Sequence, residues 1–409
     1  MKAGTALAAV VAVAAIAPAS AVADQRYAAP GGAGVLCTHA APCEFETAVE
    51  GALDGDEVIV EPGVHTPAGE VQLDTGAVVH GVDGGPRPTI VSSAATAIRV
   101  THPGAELRWL DLLHSGGGDA LLLDDGGARL LSVRSSSGGY ACHVRGATLQ
   151  DSICWATAGG FAAGSDVTGS YQRANLFNVT AFATGTGSRG VRVVASAGFA
   201  ELVALNVIAK GAVDVEVASD PTASVAVANM DFSNFATQSV VGPESYASAP
   251  GTARNQTAAP VFADAANGDF HEDPSSPTVD RGTLDFGAGD MDLDGEPRIQ
   301  GFGVDVGADE LFVGPLPPDT NPPDTRILKK PDSRSKHRLA RFKFGTTEPV
   351  AAQFLCSLDG KPFSRCSSPM KLRVKRGRRH RFAVYSIDEA GNADPTPDVY
   401  SWKVKGKRG

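Results

Sequence analysis

Three aspartates at alternate positions, Asp290, Asp292 and Asp294, stand directly before Gly295 in the stretch DMDLDGEPRIQGFGVDVGADE, residues 290–310. A twelve-residue calcium loop begins this way, with carboxylate oxygens at positions 1, 3 and 5 for the hard cation and a glycine at 6 for the sharp turn. Position 12, where such a loop carries a bidentate glutamate, is Gly301. The competing reading is a turn whose carboxylates accept backbone N–H bonds and pair with Arg298. No cofactor is required by the sequence, and calcium is the ion the turn could take, with ligands completed from elsewhere in the chain.

A second chemistry, cleavage of acidic polysaccharide, needs carboxylates and a base brought together. A lyase uses acidic residues to hold calcium against a uronate and a basic residue to take the proton, and a hydrolase uses two carboxyl groups ~5 to 9.5 Å apart. Asp111, Asp124, Asp125, Asp151, Arg129, Arg134, Arg145 and Arg192 are the candidates, and none sits in a run that reads as a catalytic signature. Scattered charges of this kind are the solvated face of a repeat structure. Ser132, Asp151 and Asn178, and likewise Asp111, Asn206 and Asn229, recur at matching offsets, which fits a ladder of side chains bonding the backbone at turns. Trp109, Trp155, Phe161, Tyr171 and Phe199 either offer platforms for sugar rings or pack under loops. His80, His114 and His143 show no metal-like pairing and read as ordinary polar positions.

The third cluster is basic. RVKRGRRHR supplies Arg373, Lys375, Arg376, Arg378, Arg379 and Arg381, a density that attracts polyanions or else forms a solubilising face. From Pro323 onward there are 21 Lys and Arg against 8 Asp and Glu, net +13, which leaves 15 against 38, net −23, for the remainder. The overall charge of −10 therefore conceals an acidic body and a basic tail. Nothing resembles a sequence-reading nucleic-acid motif, so the expected partner is a carbohydrate or an anionic cell-envelope polymer.

The elements that must position these residues begin after an export signal. Lys2, an apolar run from Ala3 to Ala17 and the small-residue triplets Ala19-Ser20-Ala21 or Ala21-Val22-Ala23 describe a secretory signal peptide over residues 1–23. No later stretch is apolar for long enough to suggest a spanning helix. The expected product is secreted or surface-associated, extracellular and monomeric. Six cysteines fall into three close pairs, Cys37 with Cys43, Cys142 with Cys154 and Cys356 with Cys366. In an exported chain this favours disulfides over zinc, although spacing does not choose among the connectivities that six cysteines allow.

Ala-x-Leu/Val triplets recur at Ala77, Ala105, Ala128, Ala147, Ala174, Ala200 and Ala223, with a second short β-type run between them. Runs such as LRWLDLL, NLFNVTAF and ELVALNVI are short, rich in β-formers and bounded by turn residues. Units of this size without a helix exclude helical solenoids and leave a β-solenoid.

At this point the chain resembles right-handed parallel β-helix proteins of the pectate-lyase-like superfamily, over residues 27–311. CEFETAVEGALDGDEVIVEPGVHT, residues 43–66, looks like the N-terminal cap and first coil, with a short helix over 44–52. PVFADAANGDFHEDPSSPTVDRGT followed by the aspartate stretch, together residues 260–311, looks like the C-terminal closing module of secreted bacterial members. Phe262, Asp264, Gly268 to His271, Ser276 to Gly282, Asp292 to Arg298 and Val304 to Glu310 carry that match, which implies that the segment seals the final coil. FLCSLDGKPFSRCSSP and HRFAVYSIDEAGNADPTP look like an Ig-like module appended to exported actinobacterial proteins. The expected fold is all-β: a right-handed parallel β-helix over 24–312, a Pro-rich linker over 313–323 and a small Ig-like β-sandwich over 324–405. The expected function is non-catalytic binding or adhesion to carbohydrate or cell-envelope polymers; the alternative is a polysaccharide lyase or glycoside hydrolase acting along one face.

Overall fold

The computed structural model describes residues 24–220, 224–252, 254–284, 289–312, 322–346, 353–387 and 392–406. The expected signal peptide and residues 313–321 of the expected linker lie outside them. The chain divides into two units, Met1–Val313 and Gly314–Gly409.

The first unit is a parallel β-helix. One column of strands runs from Gln25–Ala28 through Glu57–Val60 and Val78–Gly81 to the starts of Glu106–His114, Gly127–Ser135 and Thr148–Ala156, each paired in parallel with the next. It continues through Gln172–Ala183 and the end of Arg189–Leu205 to Ser224–Asp231. The later halves of the same long strands form a second face, with Asp111 opposite Ser132, Ser132 opposite Ile153, and Ile153 opposite Thr180. A third face stacks Val71–Leu73, Ile98–Val100, Leu121–Leu123, Tyr140–Val144 and Phe161–Thr168, then the start of Arg189–Leu205 and Val213–Ser219. Alternate residues of all three faces point inward, which puts Val79, Leu107, Leu149, Leu176, Leu202, Leu123, Val144 and Val193 in one continuous buried core.

The corner between the first and second faces is the same in six successive coils. Trp109, Leu130, Asp151, Asn178, Asn206 and Phe232 stack there, each with φ between 45° and 58°. Asparagine and aspartate tolerate this left-handed conformation better than other non-glycine residues. Asn178 Nδ2 donates to Asp151 Oδ1 at 2.8 Å and Asn206 Nδ2 donates to Asn178 Oδ1 at 2.8 Å, so the middle of the column is a buried side-chain ladder. Of the expected ladder residues, Asp151, Asn178 and Asn206 belong to it. Ser132, Asp111 and Asn229 do not, because they lie beyond the corner or on an outward strand position.

The N-terminal end is covered by the helix Phe45–Glu50, whose Phe45, Ala48 and Val49 join the solenoid core. Arg26 donates from Nε to Ala48 O at 2.9 Å and from Nη2 to Thr47 O at 3.2 Å, occupying helix carbonyls that lack intrahelical donors. Cys37–Cys43 fastens the strands before the helix, and Cys142–Cys154 joins the third face to the second inside one coil.

Residues 260–284 and 289–311 take a different course from the one their motif suggested. Their contacts run along the outside of the second face and the corner ladder, so they form a lateral strap; the expectation that the stretch seals the final coil is corrected by these partners. The hairpin Phe262–Asp264 and Asp269–Glu272, with Leu293 and Ala308, packs on Ile153, Trp155 and Phe182. Thr283 N donates to Asn206 Oδ1, Asn206 Nδ2 donates to Thr283 O, and Ala308 N donates to Thr180 Oγ1.

The described residues of the second unit form two sheets. Thr325–Lys329, Leu339–Thr346 and Met370–Arg373 form one. Arg334–Ser335, Asp398–Val404, Arg379–Ile387, Gln353–Leu358 and Ser364–Cys366 form the other. Phe342 and Phe344 of the first meet Phe382, Val384, Trp402 and Val404 of the second in a small shared core, and Cys356–Cys366 closes the hairpin at the edge.

Candidate functional site

Three consecutive coils present an open groove on the outer side of the first face. The strands Gln172–Ala183, Arg189–Leu205 and Ser224–Asp231 lie side by side with Arg173 opposite Glu201, Phe177 opposite Leu205, Val203 opposite Asn229 and Leu205 opposite Asp231. Strand alternation therefore turns Arg173, Asn175 and Phe177, then Glu201, Val203 and Leu205, then Asn229 and Asp231, to the same side. With the loop carrying Ser248, Thr252 and Arg254 they enclose a cleft of about 710 Å³.

Its floor is apolar and its rim polar. Leu205 and Met230 are buried beneath it, and Phe177 and Val203 are half-buried. At the rim, Arg254 Nε donates to Asp231 Oδ1 at 3.0 Å while its guanidinium lies 4.2 Å from the centre of the Phe232 ring, so two contacts hold the cation in place. Glu201 accepts from Tyr171 Oη at 2.6 Å and from Asn229 Nδ2 at 3.2 Å, and Arg173 approaches to 4.0 Å. The hydrogen bond to Glu201 pushes the Tyr171 phenol up. Tyr171, just before the strand Gln172–Ala183, pairs with Phe199 at 5.3 Å.

The other sequence-derived candidates are engaged elsewhere. Asp124 holds Arg99 at 3.1 Å and Arg145 at 2.6 Å, Arg129 holds Glu106 at 2.7 Å, and Asp125 accepts the Gly126 N–H. Arg192 binds both oxygens of Asp166 at 2.9 Å and Glu216 at 3.0 Å, with its guanidinium over Phe161. Tyr140 Oη donates to Asp166 at 2.7 Å, and burial pushes its phenol far up. His143 is satisfied at both nitrogens, by Asp119 at 2.7 Å and the Asp166 N–H at 3.2 Å. His80 and His114 are buried with backbone and side-chain partners. Trp155 lies beneath the strap against Phe270, with Arg134 over its ring, and Trp109 donates to Gly85 O while stacking with Arg87. Asp111 is pushed up by burial, with Arg87 at 3.9 Å.

Asp290, Asp292 and Asp294 do not converge on one point. Asp292 is buried and accepts the N–H groups of Asp294, Glu296 and Glu310, as the turn reading expected. Burial nevertheless pushes its carboxyl up. Asp294 turns to His271 Nε2 at 2.7 Å, which holds its carboxyl down and raises the imidazole to about 10. Asp290 accepts the Arg298 N–H through its backbone carbonyl. The Arg298 side chain passes by all three and binds Asp151 at 2.9 Å, with both groups almost fully buried. Burial also pushes Glu272 and Glu310 up to about 8 and Asp309 to about 6.

In the second unit Arg373, Lys375, Arg376, Arg378, Arg379 and Arg381 are all exposed, while His380 between them is buried and held by Asp359 at 2.8 Å and Lys375 O at 2.8 Å. Sequence reasoning missed Phe177, Met230, Asp231 and Arg254 in the groove, and His271 and Asp309 in the strap. The alternating outward residues of NLFNVTAF and ELVALNVI were the available signal for the groove.

No protein-family model and no curated protein sequence matches the chain. Among solved structures, one that matches is the crystal structure of pectate lyase Pel9A, with 13% sequence identity, a TM-score of 0.39 and coverage of 70% of this chain and 96% of that one.

Proposed function

We propose that this chain is a secreted or cell-surface β-helix protein that binds carbohydrate in the groove formed by Phe177, Val203, Leu205, Asn229, Asp231 and Arg254. The observation that carries the reading is the pairing of an apolar floor with a rim of fixed amide, carboxylate and guanidinium groups across three coils. Sugar rings offer apolar C–H faces and hydroxyl edges, and a concave site with a few placed polar groups serves both. The repeat along the coil axis suits a polymer. Three disulfides support export to an oxidising compartment. We read the strap as a family-type closing module displaced onto the flank, and the two-sheet unit as an Ig-like module. Its exposed arginines and lysine retain the protein on an anionic envelope polymer.

The test is a glycan array followed by calorimetry with the best oligosaccharide, comparing the unsubstituted protein with Phe177→Ala. A loss of at least about tenfold in affinity is expected, since a half-buried ring contributes on the order of 1.5 kcal/mol or more. Absence of any glycan ligand, or unchanged affinity in Phe177→Ala, defeats the groove assignment. Release of unsaturated products or new reducing ends from the bound polymer favours the lyase or hydrolase alternative. Salt-insensitive attachment to anionic polymers defeats the retention role.

A further inference from the structure

The strap carries an open hollow of about 310 Å³ whose lining includes His271, Glu272, Asp294, Asp309 and Glu310, with His271 and Asp294 exposed and Asp309 buried. One ligand atom from each of His271, Asp294 and Asp309 lies within 4.8 Å of the other two. His271 Nε2 is 2.7 Å from Asp294 Oδ2. Neighbouring ligands around an ion bound at ~2.1 Å stand about 3.0 to 3.4 Å apart, so this hydrogen-bonded pair needs to open by less than about 1 Å to admit an ion. The other ring nitrogen, Nδ1, faces Asp269 Oδ1 at 2.5 Å. A carboxylate behind the imidazole fixes the ring and leaves Nε2 as the ligating atom, the arrangement found around metal-bound histidines. Asp309 is held by the Glu272 N–H on Oδ2 at 2.7 Å.

A separate observation points to a missing occupant. Glu272 is 4% exposed, lines the same hollow, and its Oε1 is buried without a hydrogen-bond partner among the described residues. Buried polar atoms are nearly always satisfied, and only the other oxygen of this side chain, Oε2, is, by Thr278 Oγ1 at 2.8 Å. Here five carboxyl groups, those of Glu272, Asp294, Glu296, Asp309 and Glu310, line a hollow whose one basic residue among the described lining residues is His271, with Arg87 reaching Asp294 at 3.7 Å.

We propose that the hollow is a divalent-cation site with His271 Nε2, Asp294 and Asp309 as ligands and Glu272 as the adjoining carboxylate. The mixed nitrogen and oxygen donor set suits a transition ion such as Zn²⁺ or Mn²⁺ better than calcium, which takes oxygen ligands. Bound there, the ion ties the hairpin Phe262–Glu272 to the stretch 290–310 and so locks the strap. The opposing state is an imidazolium clamped between Asp269 and Asp294 with no metal.

The experiment uses the full chain stripped with EDTA, titrated with Zn²⁺ by calorimetry and with Mn²⁺ by electron paramagnetic resonance. A single tight ion per chain is expected, with nitrogen coupling to Mn²⁺ and a higher melting temperature. His271→Gln and Asp309→Asn should each weaken Zn²⁺ binding at least tenfold, and His271→Gln should also abolish the nitrogen coupling. The coupling in the unsubstituted protein is a readout that stands even where a variant fails to fold. Absence of stoichiometric uptake, uptake without nitrogen coupling, or affinity unchanged in both variants overturns the site and leaves the imidazolium clamp.

Discussion

Replacing Arg298 with methionine removes the cation of a bridge whose side chains are 1% and 3% exposed and leaves Asp151 in the interior. The carboxylate then escapes a buried charge by taking up a proton. At pH 7 that uptake costs roughly 1.36 × (7 − 3.9), or about 4 kcal/mol, measured from the ordinary aspartate value. Arg298 also donates to Ala308 O at 2.8 Å and to Asp309 O at 3.4 Å, and losing these bonds adds on the order of 1 kcal/mol. Burial already pushes the Asp151 carboxyl above its ordinary range in the intact protein, so part of the proton cost is present before the substitution. A net loss of about 3 to 5 kcal/mol at pH 7 is expected, in the range for breaking a buried pair from one side. At about pH 5 the proton costs only ~1.5 kcal/mol by the same relation, and the variant should recover most of the difference. Asp151→Asn in the Arg298→Met background should recover it at both pH values, because the amide continues the Asn178–Asn206 ladder without charge. Native-state hydrogen exchange over residues 262–311 reads the opening free energy of the strap. A loss that is the same at both pH values, or that Asp151→Asn fails to restore, refutes the account of Asp151 as the group Arg298 neutralises.

Acidification should act in opposite senses at two pairs of carboxyls, one in each unit. Burial pushes Asp151 and Asp305 up, so their ionisation costs stability above the unfolded value of ~3.9, and that cost disappears as pH falls. In the second unit burial acts on Asp359 and Asp394 too, but it is outweighed by the N–H of Arg381 and by His380 at Asp359, and by Thr325 and Thr396 at Asp394, which hold both carboxyls down. Their contribution is present above ~3.9 and is lost as pH falls through the folded values. Buried Trp402 should therefore lose its native fluorescence at a higher pH than the strap loses exchange protection; the reverse order contradicts the assignment. Cys142→Ala with Cys154→Ala opens a bridge between two fully buried positions twelve residues apart. The chain-entropy relation gives about 3 kcal/mol for a loop of that length, and a urea-unfolding loss below about 1 kcal/mol would show that the bridge adds little to the coil.

Much of the architecture was legible because short β-rich runs between turn residues can bury a face only by stacking. LRWLDLL lies in the strand Glu106–His114, the helix over 44–52 is present as Phe45–Glu50, and all three close cysteine pairs are bonded. The alanine repeat was a weaker guide. Leu107 lies opposite Ala128, and Ala128 opposite Leu149, so the triplet beginning at Ala128 is shifted by two residues from the one beginning at Ala105. A shift of two keeps every inward side chain inward, and hydrophobic pattern alone does not resist it. The groove depends on that register. Phe177 meets Leu205, and Leu205 meets Asp231, only in the observed pairing. Each strand displays its outward residues, but which of them become neighbours is decided by the coil lengths between.

The corner column explains why the ladder was read with half its members misplaced. A left-handed corner does not itself demand asparagine, since Trp109, Leu130 and Phe232 occupy it as well, at some cost in backbone energy. The polar members are the consecutive three, Asp151, Asn178 and Asn206, which the strap grips at both ends. Arg298 binds Asp151, Thr283 exchanges two hydrogen bonds with Asn206, and Asn178 joins the two within the ladder. The polar identity of those corner residues thus follows from the segment that folds back over them, more than seventy residues later in sequence for Asn206 and Thr283. A carboxylate and two amides in successive coils record a tertiary contact, and a reading confined to repeat spacing assigns them to the repeat.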